Sequence, residues 1–123
     1  MTANEIEALH GYDGATPMPE DFAAFWQARM AEADAVPLDY TITQAKEVPS
    51  WDSCDFLELW FTGMAGARIY AKYLRPRSDV PLPLVLQFHG YPGASRSFAE
   101  QASFAGMGMA LIAMDCPGQA GYS

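Results

Sequence analysis

The chain has 123 residues, 50% hydrophobic and 13% aromatic, which is enough to build one core of ordinary size and too apolar for global disorder. Lys and Arg number 7 against 15 Asp and Glu, a formal net charge of -8, and no basic cluster interrupts the acidic background. Partners read through a positive stripe are thereby excluded, so neither nucleic acid nor an anionic membrane is expected to bind.

The opening M-T-A-N-E-I-E-A-L-H has neither the basic start nor the apolar run of a signal peptide, and no later stretch is apolar for long enough to cross a bilayer. A cytoplasmic protein is expected. Cys54 and Cys116 are too few for a disulfide scaffold and lack metal-ligand spacing, so both read as reduced structural thiols.

Residues 1–16 show no hydrophobic period and contain Gly11 and Gly14, which predicts an extended lead-in over 1–18. Pro19, Glu20 and Asp21 suit a helix's first turn, and Phe22, Phe25, Trp26 and Met30 fall on one face. That amphipathic helix should end before Val36-Pro37, because the residue ahead of a proline is pushed out of the helical region. Alternating segments at Tyr40 to Val48, Cys54 to Phe61 and Arg68 to Leu74, with a turn over Thr62 to Gly66, predict an antiparallel meander of three strands. Pro76, Pro81 and Pro83 mark a connecting loop.

Leu84 to Phe88, apolar apart from Gln87, has the character expected of a strand buried on both faces of a parallel sheet. Ser97-Phe98-Ala99-Glu100 matches a capping box and predicts a short helix over Phe98 to Ala105, ended by Gly106 and Gly108. Met109 to Met114 is a second apolar strand, which completes a right-handed strand, helix, strand crossover.

The candidate chemistry sits in His89-Gly90-Tyr91-Pro92-Gly93, where the chain leaves the carboxyl end of a parallel strand, the usual place for ligands in open α/β sheets. Glycines around Tyr91 let the backbone approach a ligand, so the Tyr91 N–H, with Gly90 beside it, is the candidate oxyanion donor; an ordinary strand-to-helix turn is the competing reading. His89 more simply holds the loop by bonding backbone than acts as a base, and His10 in the lead-in has less claim. Asp115 fits a turn whose carboxylate caps backbone amides better than a catalytic acid, and an adjacent acid argues against Cys116 as nucleophile. Gly121-Tyr122-Ser123 imitates the start of G-x-S-x-G, but loop precedes the serine where a nucleophile elbow needs a strand. Gly90 to Ser95 lacks a P-loop lysine, and Gly106-Met107-Gly108 lies before a strand where a dinucleotide fingerprint must follow one.

The segments F-W-Q-A-R, R-I-Y-A-K-Y-L-R-P, Q-F-H-G-Y-P-G and S-F-A-G-M-G-M-A-L-I-A-M-D-C-P-G-Q resemble the amino-terminal part of the acetyl xylan esterase and cephalosporin C deacetylase family of α/β-hydrolases. The resemblance runs from about Pro19 onward and implies an α/β fold read over 1–123 as the amino-terminal half of an α/β-hydrolase domain, truncated before the nucleophile elbow. It implies a Ser, His, Asp mechanism that removes acetyl groups from sugars or cephalosporin-type esters, with no metal or organic cofactor and a hexameric parent. Of the family's site residues only Tyr91 carries over, its amide being one of two oxyanion donors. Where many relatives have D-x-R-G-Q-G, this chain reads Asp115-Cys116-Pro117-Gly118-Gln119-Ala120, so any ion pair of that arginine is absent. In the fold's usual sheet order the Leu84 to Phe88 strand would then lack a neighbour on one side, and a catalytically inert, poorly soluble chain is expected. The alternative function is a non-catalytic module in which Trp51, Trp60 and Tyr91 receive a sugar face or a partner subunit, although aromatics at alternating strand positions are more often core.

Overall fold

The computed structural model describes residues 2–12, 14–46, 48 and 51–123. They fall into two compact units, Met1–Ala31 and Glu32–Ser123.

In the first unit the segment expected to be extended instead carries helix α1, Ala3–His10. Thr2 and Glu5 close a capping box: the Thr2 N–H donates to Glu5 Oε2 at 2.6 Å and the Glu5 N–H to Thr2 Oγ1 at 3.4 Å. The correction has a local cause, because T-A-N-E is itself a helix-start signature and outweighs the absence of a long hydrophobic period. Helix α2, Phe22–Asp34, begins after Pro19-Glu20-Asp21 and stops ahead of Val36-Pro37 as expected. Phe22 and Phe25 both meet Trp26 edge to face, with ring centroids 6.3 and 5.5 Å apart.

The second unit is built on one five-stranded sheet in the order β1-β2-β3-β5-β4. Strands β1 (Thr41–Gln44), β2 (Cys54–Thr62) and β3 (Arg68–Pro76) form the expected antiparallel meander, with Ile42 opposite Leu59 and Leu57 opposite Tyr73. The first of them is shorter than the alternation of Tyr40 to Val48 suggested, and Glu47 lies outside the described residues. A short 3-10 turn over Met64–Gly66 joins β2 to β3, with Ala65 at φ 54°. Strand β4 (Leu84–Phe88), helix α3 (Phe98–Gly106) and strand β5 (Ala110–Met114) form the parallel crossover, with Leu86 opposite Ile112. The capping box at the start of α3 is present: the Ser97 N–H donates to Glu100 Oε2 at 3.0 Å and the Glu100 N–H to Ser97 Oγ at 3.3 Å.

The register decides which residues are core. Phe56, Leu74, Leu111 and Val85 stand opposite one another across β2, β3, β5 and β4, and Phe98 and Ala105 of α3 pack on them. Leu74 and Leu111 are fully buried, each contributing roughly 1.5–3 kcal/mol by leaving water. The other face of the sheet carries an apolar hollow of about 620 Å³ between Ile42, Leu59, Tyr73, Leu86 and Ile112. Strand β4 has the open edge that was expected of it but not the expected burial on both faces. It is the last strand of the sheet, paired on one side only, and Leu84, Leu86 and Phe88 are exposed. Leu84, Leu86 and Phe88 alternate along the strand and so share one face, that of the apolar hollow, while Val85 on the other face packs against the core.

No helix among the described residues is long and apolar enough to cross a membrane.

Candidate active site

Strands β4 and β5 run parallel, so their carboxyl ends open on the same side and the loops that leave them are neighbours. His89 joins the two: the Cys116 N–H donates to its Nε2 at 2.9 Å, and its Nδ1 lies 3.1 Å from the Gly90 carbonyl. Because Nε2 accepts, the proton sits on Nδ1 and points at Gly90 O, which assigns the neutral tautomer. Both ring nitrogens are thus engaged with backbone, as the loop-holding reading of His89 requires.

Beyond His89 the chain closes a tight turn in which the Gly93 N–H donates to the Gly90 carbonyl at 2.7 Å and the Tyr91–Pro92 bond is cis. Glycine is required at position 93, since a Cβ there would stand 2.8 Å from Gly90 O. Tyr91 is 87% exposed, and among the described residues no hydrogen bond engages its amide. A hollow of about 330 Å³ lies against the loop, lined by Gln87, His89, Gly90, Gly93, Ser95 and Arg96 among others; its lining includes Gly90 and not Tyr91.

The far root of the loop is Ser95. Its N–H donates to Asp115 Oδ1 at 2.7 Å, while Lys72 Nζ donates to its carbonyl at 3.2 Å and its hydroxyl at 2.7 Å. Asp115, at the end of β5, is 1% exposed, and its Oδ2 accepts the Tyr122 N–H at 3.0 Å. The carboxylate therefore caps backbone amides, as the turn reading expected. Burial pushes this carboxyl up, but the hydrogen bonds from Ser95 and Tyr122 and the charge of Lys72 outweigh it and hold it below the ordinary range. Gly121, at φ +108°, is the second required glycine, because a Cβ there would collide with Asp115 Oδ2.

Ser123 is placed away from any nucleophile geometry: its hydroxyl accepts the Tyr70 N–H at 2.8 Å. The Tyr122 ring stands edge-on to Tyr70, centroids 5.0 Å apart, and Lys72 Nζ lies 5.4 Å from the Tyr70 centroid. Burial, with Glu58, Asp115 and Tyr122 adding, pushes the Tyr70 phenol up to about 12. Since an unfolded phenol ionises near about 10, the fold favours the neutral ring; that stabilisation is complete below about pH 10 and is lost as pH rises through the folded value. An ultraviolet titration is expected to reveal one phenol ionising near pH 12, absent in Tyr70→Phe.

Cys54 and Cys116 are free thiols. Trp60 packs edge-on against Tyr70 at 5.1 Å and Trp51 lies 6.1 Å from Phe56, so both are engaged with neighbouring rings. Among the described residues no group of three or more His, Cys, Asp or Glu is placed to hold a metal ion. Sequence reasoning passed over Lys72 and Ser95. The available signal was a single charge inside the apolar strand Tyr70-Ala71-Lys72-Tyr73-Leu74.

Residues 1–123 match the family model described as acetyl xylan esterase (AXE1). Among solved structures, acetyl xylan esterase 1 from Thermoanaerobacterium sp. JW/SL YS485 is 31% identical with a TM-score of 0.88, the match covering 94% of this chain and 36% of that one. The acetyl xylan esterase from Paenibacillus sp. R4 is 27% identical with a TM-score of 0.84, covering 98% of this chain and 38% of the other. The chain therefore spans little more than a third of either esterase.

Proposed function

Since this chain belongs to the acetyl xylan esterase family, we propose that it forms the oxyanion-stabilising part of a carboxylic ester hydrolase that deacetylates xylo-oligosaccharides or cephalosporin-type esters. The supporting observation is the Tyr91 amide, left without an acceptor in a loop rooted at His89 and Ser95. In ester hydrolysis, negative charge develops on the acyl carbonyl oxygen as a nucleophile adds. An amide N–H held beside that oxygen beforehand stabilises the charge without reorganising, and one such donor contributes about 10² to 10³ in rate at a complete site.

On this reading a serine, activated by a histidine and an aspartate, is the nucleophile, and the amide after it is the second donor. The sequence contains no G-x-S-x-G, and both ring nitrogens of His89 are engaged with backbone. The family resemblance extends the proposal to a homo-oligomeric, hexameric parent, and the free thiols suit the cytoplasm.

The pure chain is expected to hydrolyse p-nitrophenyl acetate at close to the buffer rate. Turnover of about 1 s⁻¹ or faster, the ordinary enzymatic range, would overturn the incomplete-site reading. Saturable quenching of Trp fluorescence by xylo-oligosaccharides without hydrolysis would favour a binding module instead.

A further inference from the structure

We propose that Lys72 is a positioning residue for the loop that carries the Tyr91 amide and that it acts through Ser95, an inference that rests on the oxyanion reading above. Lys72 stands mid-strand in β3, opposite Glu58 on one side and Ala113 on the other, on the face that α3 covers. Its neighbours on the strand, Ala71 and Leu74, are completely buried. An apolar side chain at this position would satisfy the sheet with less desolvation, so packing does not account for a lysine here.

Its hydrogen bonds do account for it. The ammonium reaches both the carbonyl and the hydroxyl of Ser95, and the Ser95 amide is taken by Asp115. One residue is thus held at three atoms by opposite charges, one on β3 and one on the residue that follows β5. Burial holds the Lys72 ammonium below its ordinary range, with Asp115 and Glu58 partly opposing it.

The loop from His89 to Ser95 consequently has two fixed roots. His89 is pinned by the Cys116 amide, Ser95 by Lys72 and Asp115, and the Gly93 to Gly90 bond closes the span between them. Tyr91 lies inside that span. An oxyanion donor must be aimed before charge develops, and misplacement by about 1 Å at a reacting centre costs on the order of 10² in rate. Releasing Ser95 from Lys72 would free one root.

The test is hydrogen–deuterium exchange of the full chain at dilute concentration, read by mass spectrometry with residue-resolved fragmentation. Lys72→Met is expected to speed exchange of the Gly93 and Ser95 amides by about tenfold or more, the scale of a lost hydrogen bond to a charged donor, while amides of α3 keep their rates. Lys72→Arg, which retains charge and donors, should recover most of the protection. If Lys72→Met fails to fold, Ser95→Ala deletes only the hydroxyl acceptor and should give a smaller acceleration of the Gly93 amide.

Sodium acetate supplies a readout that a merely structural lysine would not move. Acetate is expected to slow exchange at the Tyr91 amide in the wild type and in Lys72→Arg, and to need roughly tenfold more in Lys72→Met for the same slowing. Unchanged loop exchange and an unchanged acetate response in Lys72→Met and Ser95→Ala would overturn the proposal. Faster loop exchange in Lys72→Met with no acetate effect at Tyr91 in any variant would sustain the role of Lys72 and overturn the oxyanion reading instead.

Discussion

Sedimentation velocity at rising concentration is expected to show the 123-residue chain self-associating, with β4 as the contact. The strand is the last of its sheet, and beyond its pairing with β5 its outer edge offers unpaired backbone donors and acceptors. Leu84, Leu86 and Phe88 are 53%, 59% and 63% exposed, and Leu86 continues into the apolar hollow on the sheet face. Edge and face together form a template for another strand, carrying none of the charges or prolines that usually block such pairing. Burying one such side chain in a contact stabilises it by roughly 1.5–3 kcal/mol. Leu86→Lys should therefore weaken association by at least about tenfold and shift the chain toward monomer at the same concentration. A wild type that stays monomeric, or a Leu86→Lys chain that associates as strongly as the parent, would show that β4 is not the contact.

The second large effect is expected at Asp115. Replacing it with Ala strands the Ser95 and Tyr122 amides and removes one of the two carboxylate charges, with Glu58, that act on Lys72. Leaving a buried donor without its acceptor costs about 1–3 kcal/mol, so stranding two amides removes a large share of the 5–15 kcal/mol by which domains are usually stable. Urea titration of the Asp115→Ala chain should find the midpoint far below wild type. Asp115→Asn keeps an acceptor for Ser95 but can turn its amide group toward the Tyr122 N–H, so an intermediate loss is expected.

The same carboxylate sets an acid limit. Its folded pKa is lowered, so its contribution is complete above the unfolded value of about 3.9 and disappears as pH falls through the folded value. Wild-type stability should therefore fall in this acid window, while Asp115→Asn, with no charge there to lose, should fall less steeply. A mutant curve parallel to wild type would assign the acid loss to other carboxylates.

Much of this architecture can be read locally. The capping box at Ser97 and Glu100, the proline ahead of which α2 stops, and the alternation that becomes β2 and β3 are each decided by a few adjacent residues, and each is where it was expected. The same local rule applied to Thr2 and Glu5 would have found α1, which the search for a long hydrophobic period passed over. His89 and Asp115 were also legible, because a histidine beside glycine at a strand end and an acid in a Pro-Gly turn have few partners other than backbone.

By itself, then, the sequence determined the element types, the parallel unit, the family and the position of the Tyr91 loop, since turn chemistry, periodicity and motif act over short distances along the chain. Only the tertiary structure decided which face of β4 is left uncovered and what the lone lysine of β3 touches. The apolar residues of Leu84 to Phe88 report an affinity for burial, whereas coverage depends on what packs against each face of the sheet, a property of the tertiary fold. Likewise the bonds from Lys72 to Ser95 span 23 residues, and the register of β3 against β5 beneath the loop brings them together.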